Sequence, residues 1–339
     1  MPPPLAPGPR RRVSIPGILT AVLGMALLVW VVRKVGIAEI AADVGQVGWG
    51  LVAIVALGGL RFLLRAWAWR LCLDPPHHLR LRDAFAAVIC GDAIGNLTPL
   101  GPLVGEPAKA AFVRGRVALA PALTALAIEN VLYTLSAAAM IAAGMVAMLA
   151  RFQLPPDVRG VGEAAIAGTF VLFLTALWML WRQPALVSRA LGIAPPLRKH
   201  ADRVRRLEEE IYTFASRHRH ALPALALAEI GFHALGVAEI YLTLWLLGVT
   251  APTLLTAFLF ETANRLLQVV FKFVPLRLGV DEAGTAAFAV LIGLAPKTGL
   301  ALAIIRKARM LVWAAAGGIL LVREGLSGRA RSVQIPSAD

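Results

Sequence analysis

Charged side chains inside apolar stretches are the first residues to account for, because each costs about 2.5–3.5 kcal/mol to place at mid-bilayer and so needs a task. Arg61 and Arg65 lie one helical turn apart in the stretch 49–71 and share a face. Glu129 and Asn130 fall inside "TALAIENVLYTLS", and Glu261, Asn264 and Arg265 sit together in "FETANRLL". Arg306 and Arg309, three residues apart in "IIRKARMLVW", also share a face. A guanidinium fork suits phosphate and other anionic oxygens. Carboxylates beside it can pair with it, or hold a counter-cation, an amine head group or a proton. Arg61, Arg306 and Arg309 lie too far from the ends of their stretches to snorkel. Snorkelling or silent salt bridges account equally well for Arg65, Lys109, Lys272, Arg277 and Glu229, and lone His233 reads as a satisfied core residue.

A second pattern repeats. "PLGPLVGE" (99–106) and "PLRLGVDE" (275–282) both fit P-L-x-x-x-V-x-E-x-x-x-A once Ala110 and Ala286 are included. Pro99, Gly101 and Pro102 interrupt one apolar run, and Pro275 and Gly279 interrupt another. Non-helical backbone persists at membrane depth only when buried in protein or lining a wet cavity. Matching Pro/Gly interruptions in two halves point to the binding site of an inverted-repeat transporter. Glu106 and Glu282 then precede or begin half-helices, where an acid complements the positive dipole end, and Pro107 suits a first helical turn. Were proton transfer at these acids to drive a cycle, Gln in place of Glu106 or Glu282 should abolish its pH dependence. No His/Asp constellation has the spacing of a nucleophile–base pair or a metal cluster. The expectation is no catalytic residue, no metal, no cofactor and no enzyme activity.

These residues must be positioned by membrane helices. The 339-residue chain is 58% hydrophobic and 16% charged, with mean hydropathy +0.73, above ordinary globular usage. Apolar segments read at 15–32, 49–71, 84–97, 121–150, 161–181, 222–247, 252–274, 279–294 and 298–322. The first is long and ends in "VVRK" without a small-residue cleavage site, so it reads as an uncleaved span. Net charge is +14, but the basic residues cluster in loops between apolar segments. That pattern fits anionic lipid head groups and the positive-inside rule, not nucleic acid. Placing the basic clusters on one face requires 84–116 to enter and leave by that face, and 252–294 by the other. The expected architecture is all-α: about six full spans plus two oppositely oriented re-entrant hairpins related as an inverted repeat, with eight or more full spans as the alternative that hydropathy leaves open.

In this reading residues 1–14 are a disordered basic terminus, and 15–323 a single membrane domain. That domain comprises a first repeat near 49–150, a basic cytosolic connector at 182–220 and a second repeat near 221–323, followed by a disordered tail at 324–339. Both termini face the cytosol. Cys72 and Cys90 show no metal spacing and read as small packing residues.

"NLTPLGPLVGEPAKAAFV", "TALAIENVLYTLS" and "FVPLRLGVDEAGTAAFAVLIGL" with "GLALAIIRKARMLVWAAAGGI" resemble the lysylphosphatidylglycerol synthase transmembrane-region family, also called flippase-like proteins, over roughly 49–321. Asn96, Pro99, Gly101 and Glu106 match its first motif, Pro275, Gly279 and Glu282 its second, and Arg309 falls where the family tends to carry an arginine. Where the family often shows Glu-Arg followed by an Asp, this chain has Glu129, Asn130 and Tyr133. The resemblance implies movement of lipids between leaflets of a bacterial inner membrane. Substrates across the family include aminoacylated phosphatidylglycerol and polyprenyl-linked sugars, and some stand-alone members are associated with hopanoids. The chain would be a stand-alone member without the soluble aminoacyl-transferase domain.

The expected function is a lipid flippase that holds an anionic or glycosylated head group in a central polar cavity, with membrane lipids as partners and homo-oligomers allowed. Arg61, Arg65, Asn96, Glu106, Glu129, Glu261, Asn264, Arg265, Glu282, Arg306 and Arg309 would bind substrate. Pro99, Gly101, Pro102, Pro275 and Gly279 would act as hinges. An integral-membrane enzyme acting on a lipid-linked substrate, a transporter of small polar solutes, and a scaffold recruiting a lipid-modifying enzyme are the rivals.

Overall fold

The computed structural model describes residues 45–98, 101–185, 188–189, 193, 201–271, 274, 277 and 279–327. The expected first span at 15–32, the terminus 1–14, Pro99, Lys272, Pro275 and residues 328–339 lie outside them. All regular elements among the described residues are helices: α1 Gly50–Leu71, α2 Leu81–Leu97, α3 Gly101–Phe112, α4 Leu119–Arg151, α5 Pro156–Arg182, α6 Ala201–Arg217, α7 Leu222–Leu246, α8 Leu254–Val270, α9 Val280–Leu291 and α10 Pro296–Ser327. Their ends carry local reasons. Pro156 occupies the first turn of α5, where its missing N–H costs nothing. Thr253 caps α8 by accepting from the Thr256 amide at 3.0 Å. Gly279, at φ +78°, turns the chain into α9 in a conformation that side-chain-bearing residues resist.

Helices α1, α4, α5 and α7 are long and apolar enough to cross a membrane. Helix α10 matches them in length at 32 residues but carries Arg306, Lys307 and Arg309 within it. Helix α5 packs against α4 and exposes Phe170, Val171, Leu174, Leu177 and Trp178. Only 6% of its apolar window is buried, so nearly its whole circumference suits hydrocarbon.

Two helix pairs stand out among these elements. Helices α2 and α3 have 17 and 12 residues, and so do α8 and α9. In the first pair the backbones nearly touch: a Cβ on Gly101 would meet the Gly95 carbonyl oxygen at 2.5 Å, and one on Gly105 the Gly91 oxygen at 2.8 Å. Small residues permit this approach between membrane helices. The α9 residue Gly284 faces instead the Leu267 side chain of α8.

One expectation needs correcting. Glu106 neither precedes nor begins a half-helix, because α3 starts at Gly101 and places Glu106 in its middle. Pro102 takes the first-turn position, where a proline is tolerated, and Pro107 lies inside the helix instead of opening it. Glu282 does lie in the first turn of α9.

Apolar packing among the described residues includes two large clusters, besides a small one around Val47, Ile54 and Ile305. One large cluster gathers Trp69 of α1, Val88 of α2, Ala110 of α3, Leu126 and Ile128 of α4 and Leu225 of α7. The other gathers Ile141 and Met148 of α4, Leu244 of α7, Phe260 of α8, Phe288 of α9 and Leu302 of α10. Helices α4 and α7 run through both, with a polar stretch between. Cys72 and Cys90 are buried in the packing, with Cys90 Sγ 3.6 Å from the Gly317 carbonyl oxygen.

Candidate functional site: a charged layer between two apolar cores

Helix α1 contributes the first arginines. Arg61 is eleven residues from its start and ten from its end, so the guanidinium is about 15 Å of helix rise from either terminus. Its Nη1 donates to Glu239 Oε2 of α7 at 3.3 Å and its Nη2 to Glu261 Oε1 of α8 at 3.2 Å. Both carboxylates are only 1% exposed, which leaves them no water to fall back on. Gly236 makes the room: a Cβ there would meet Glu261 Oε1 at 2.5 Å and the Arg61 guanidinium carbon at 3.3 Å.

Glu261 is the most connected acid of the layer. Besides Arg61 it accepts from Arg265 Nε at 2.9 Å, pairs with Arg265 Nη2, and accepts from Asn264 Nδ2 at 3.2 Å. Arg265 Nη1 then donates to the Tyr133 hydroxyl of α4 at 2.8 Å and to Gln268 Oε1 at 3.2 Å. Phe232 of α7 lies under three guanidiniums, 4.5 Å from Arg61, 5.1 Å from Arg265 and 5.9 Å from Arg65. An aromatic face attracts cations most strongly where water is excluded.

One turn along α1, Arg65 Nε lies 2.8 Å from Glu129 Oε1, its Nη2 donates to Asn130 Oδ1 at 3.2 Å, and its plane sits 4.1 Å over the Tyr133 ring. Asn130 donates to Glu106 Oε2 at 2.9 Å, and Glu106 Oε1 accepts from Lys109 at 2.6 Å. The first repeated acid is thus tied to the α1 arginines through one amide. Its counterpart Glu282 accepts from Lys307 of α10 at 2.5 Å, and Lys307 is 1% exposed. Arg277 bonds Asp281 at 3.0 Å, one turn along.

Arg309 of α10 reaches Glu239 Oε1 at 2.9 Å as an ion pair without hydrogen-bond alignment. A Cβ on Gly58 would meet the Arg309 guanidinium at 2.9 Å, so that glycine lets the arginine cross to α7. Arg306 is half-buried on the same helix, ten residues in. Ser136 donates to Glu229 at 2.8 Å and lies 3.1 Å from His233, which stacks on Tyr133.

Eight of the eleven expected binding residues, Arg61, Arg65, Glu106, Glu129, Glu261, Asn264, Arg265 and Arg309, are bonded into this layer. Glu282 pairs with Lys307 beside it, Arg306 has no partner among the described residues, and Asn96 also lies outside the bonding. It donates to Asp92 Oδ2 at 2.8 Å on its own helix, and among the described residues no bond joins it to the arginines. Lys109 and Arg277 take the salt-bridge role expected of them, and Arg65 pairs likewise. Sequence reasoning missed Lys307, Tyr133 and Phe232, and it marked Glu239 only as one more acid within an apolar run, not as a binding residue. Lys307 was open to discovery, since it too is a cation deep in an apolar run. Phe232 carried no such signal. Of the hinge residues, Gly101 and Pro102 open α3 and Gly279 precedes α9.

Half-way along several helices there is therefore a continuous stratum of guanidiniums, carboxylates and amides, bounded by apolar packing on both sides. Such a stratum can stay closed by internal ion pairing, or exchange those pairs for a polar ligand. A cleft of about 430 Å³ lies elsewhere, on the connector, lined by Arg182, Arg189, Arg205, Glu208 and Tyr212 among others; it shares no residue with the layer. Among the described residues no His, Cys, Asp or Glu cluster has the form of a metal site.

No curated protein and no solved structure matches the chain. Residues 17–318 match the family model described as the lysylphosphatidylglycerol synthase TM region. With its apolar helices and mid-helix charged layer, the chain is a multi-pass membrane protein and belongs to the lysylphosphatidylglycerol synthase transmembrane-region family, a lipid-related membrane family.

Proposed function

We propose that the protein is a flippase: it moves a polar-headed lipid between leaflets, passing the head group through the charged layer while the tail stays in the bilayer. The observation that carries the reading is the placement of the layer. Arg61, Arg65, Glu129, Glu239, Glu261 and Arg265 sit between two apolar cores, where a head group in transit would otherwise meet hydrocarbon. Two 17- and 12-residue helix pairs flank that layer, one contributing Glu106 and the other Glu261 and Glu282. In this reading they are re-entrant hairpins of an inverted repeat, entering from opposite faces and opening alternately. A bacterial inner membrane, with both termini cytosolic, is the proposed setting. Phospholipid, glycolipid and hopanoid-type lipids are the candidate substrates.

The protein is further proposed to leave the lipid chemically unchanged. The test is reconstitution into vesicles carrying head-group-accessible fluorescent lipid in both leaflets, with a membrane-impermeant quencher added outside. Quenching beyond the outer-leaflet half, at a rate that rises with protein-to-lipid ratio, supports the reading. Protein-independent quenching, or recovery of an altered lipid by mass spectrometry, would overturn it.

A further inference from the structure

Arg306 differs from every other cation of the layer. Its charged surroundings are Glu261, Asp281, Glu239 and Arg309. Each of those carboxylates is already taken: Glu261 by Arg61 and Arg265, Glu239 by Arg61 and Arg309, Asp281 by Arg277. Among the described residues no carboxylate reaches ion-pair distance of the Arg306 guanidinium and no hydrogen bond forms to it. Five guanidiniums (Arg61, Arg265, Arg277, Arg306, Arg309) face three carboxylates here, an excess of two positive charges. Asp92, whose charged surroundings include Arg309 and Arg277, lowers that excess to one without supplying Arg306 with a partner.

A guanidinium without a partner among the described residues, some 15 Å of rise into an apolar helix, is costly to keep. The residue is only partly buried, whereas its neighbour Lys307 is sealed in the packing. Its helix also exposes Leu300 and Val312 and thus borders hydrocarbon. Five N–H donors in a planar fork match the oxygens of a phosphodiester and repel an aminoacylated, cationic head group.

We infer that Arg306, backed by Arg309 three residues on, is the docking point for the phosphate of an anionic lipid head group, and that it sets a preference for anionic over zwitterionic or cationic lipids. This rests on the flippase reading for its lipid source, but not for the anion site itself.

The test titrates the full-length protein in detergent with phosphatidylglycerol, phosphatidylcholine and a lysylated phosphatidylglycerol, read by native mass spectrometry, with glycerol 3-phosphate as a soluble competitor. Phosphatidylglycerol is expected to bind roughly tenfold or more tightly than the other two lipids. Arg306→Gln should erase the difference, Arg306→Lys should restore part of it, and the melting temperature of Arg306→Gln should not fall, because no ion pair is lost. An unchanged preference in Arg306→Gln, tighter binding of the cationic lipid, or a lowered melting temperature would each overturn the inference. Displacement of lipid by equimolar glycerol 3-phosphate would overturn the lipid as ligand in favour of a soluble phosphate. Vesicle translocation measured on the same preparation separates the two readings. Lipid movement without an Arg306-dependent preference removes this inference alone, and the preference without movement removes the flippase reading alone.

Discussion

The two helix pairs, α2–α3 and α8–α9, share lengths and a sequence motif, yet they are held in different ways. In the first, Glu106 pairs with Lys109 on its own helix, and glycines bring the two backbones together. In the second, the acids look outward: Glu282 to Lys307 on α10, and Glu261 to Arg61 on α1 as well as to Arg265 beside it. The charge of the first pair closes mainly on its own helix, with Asn130 of α4 as its outside partner, whereas the second pair is a hub whose acids are held by cations from other helices. A repeated motif sets the shape of a segment; the surrounding helices decide what its charges hold together.

The strongest way to break that contrast is Glu261→Ala. It strands Arg61 and Arg265 in a site with almost no water and should cost about 3–5 kcal/mol, seen as loss of monodisperse protein after extraction or a large drop in melting temperature. Lys307→Met, which removes the cross-helix partner of Glu282, should cost about 2–3 kcal/mol on the same measurement. A steric test comes next. Gly101→Ala drives a methyl against the Gly95 carbonyl and should destabilise by about 2 kcal/mol, whereas Gly284→Ala meets the flexible Leu267 side chain and should cost well under that. Equal penalties for the two alanines would mean that the pairs are packed alike. Glu106→Gln should have the smallest effect, about 1 kcal/mol, because the Glu106 side chain is 29% exposed and the amide can still accept from Asn130. A larger loss from Glu106→Gln than from Glu261→Ala would move the hub to the first pair.

Helices were legible wherever apolar runs were long. The expected segments 49–71, 222–247 and 121–150 end within two residues of α1, α7 and α4. Periodicity cannot resolve where a Pro- and Gly-rich segment resumes helical structure, and so Glu106 was placed at a helix start when Pro102 had already taken the first turn. The site was half legible. A charge in an apolar run announces itself, so Arg61, Glu129, Glu261 and Arg309 could be named, but not their partners. The Arg61–Glu239 bond spans 178 residues and the Arg61–Glu261 bond 200. The uncharged positions Asn130 and Tyr133 proved to be connectors: Asn130 joins Arg65 to Glu106, and Tyr133 accepts from Arg265 while its ring lies under Arg65.

Composition and the spacing of charges by themselves determined that this chain is helical, membrane-embedded and built around ionisable groups with no solvent to relieve them. That follows from the cost of bare charge and bare backbone in hydrocarbon, which any sequence must meet locally. Tertiary structure alone decided which charges neutralise one another and which one is left over. Arg61 and Arg306 are the same residue type in similar apolar runs; packing brings Glu239 and Glu261 to the first and commits every nearby carboxylate away from the second. Ion pairing acts over a few ångströms, and only the folded arrangement of helices distant in sequence sets distances that short.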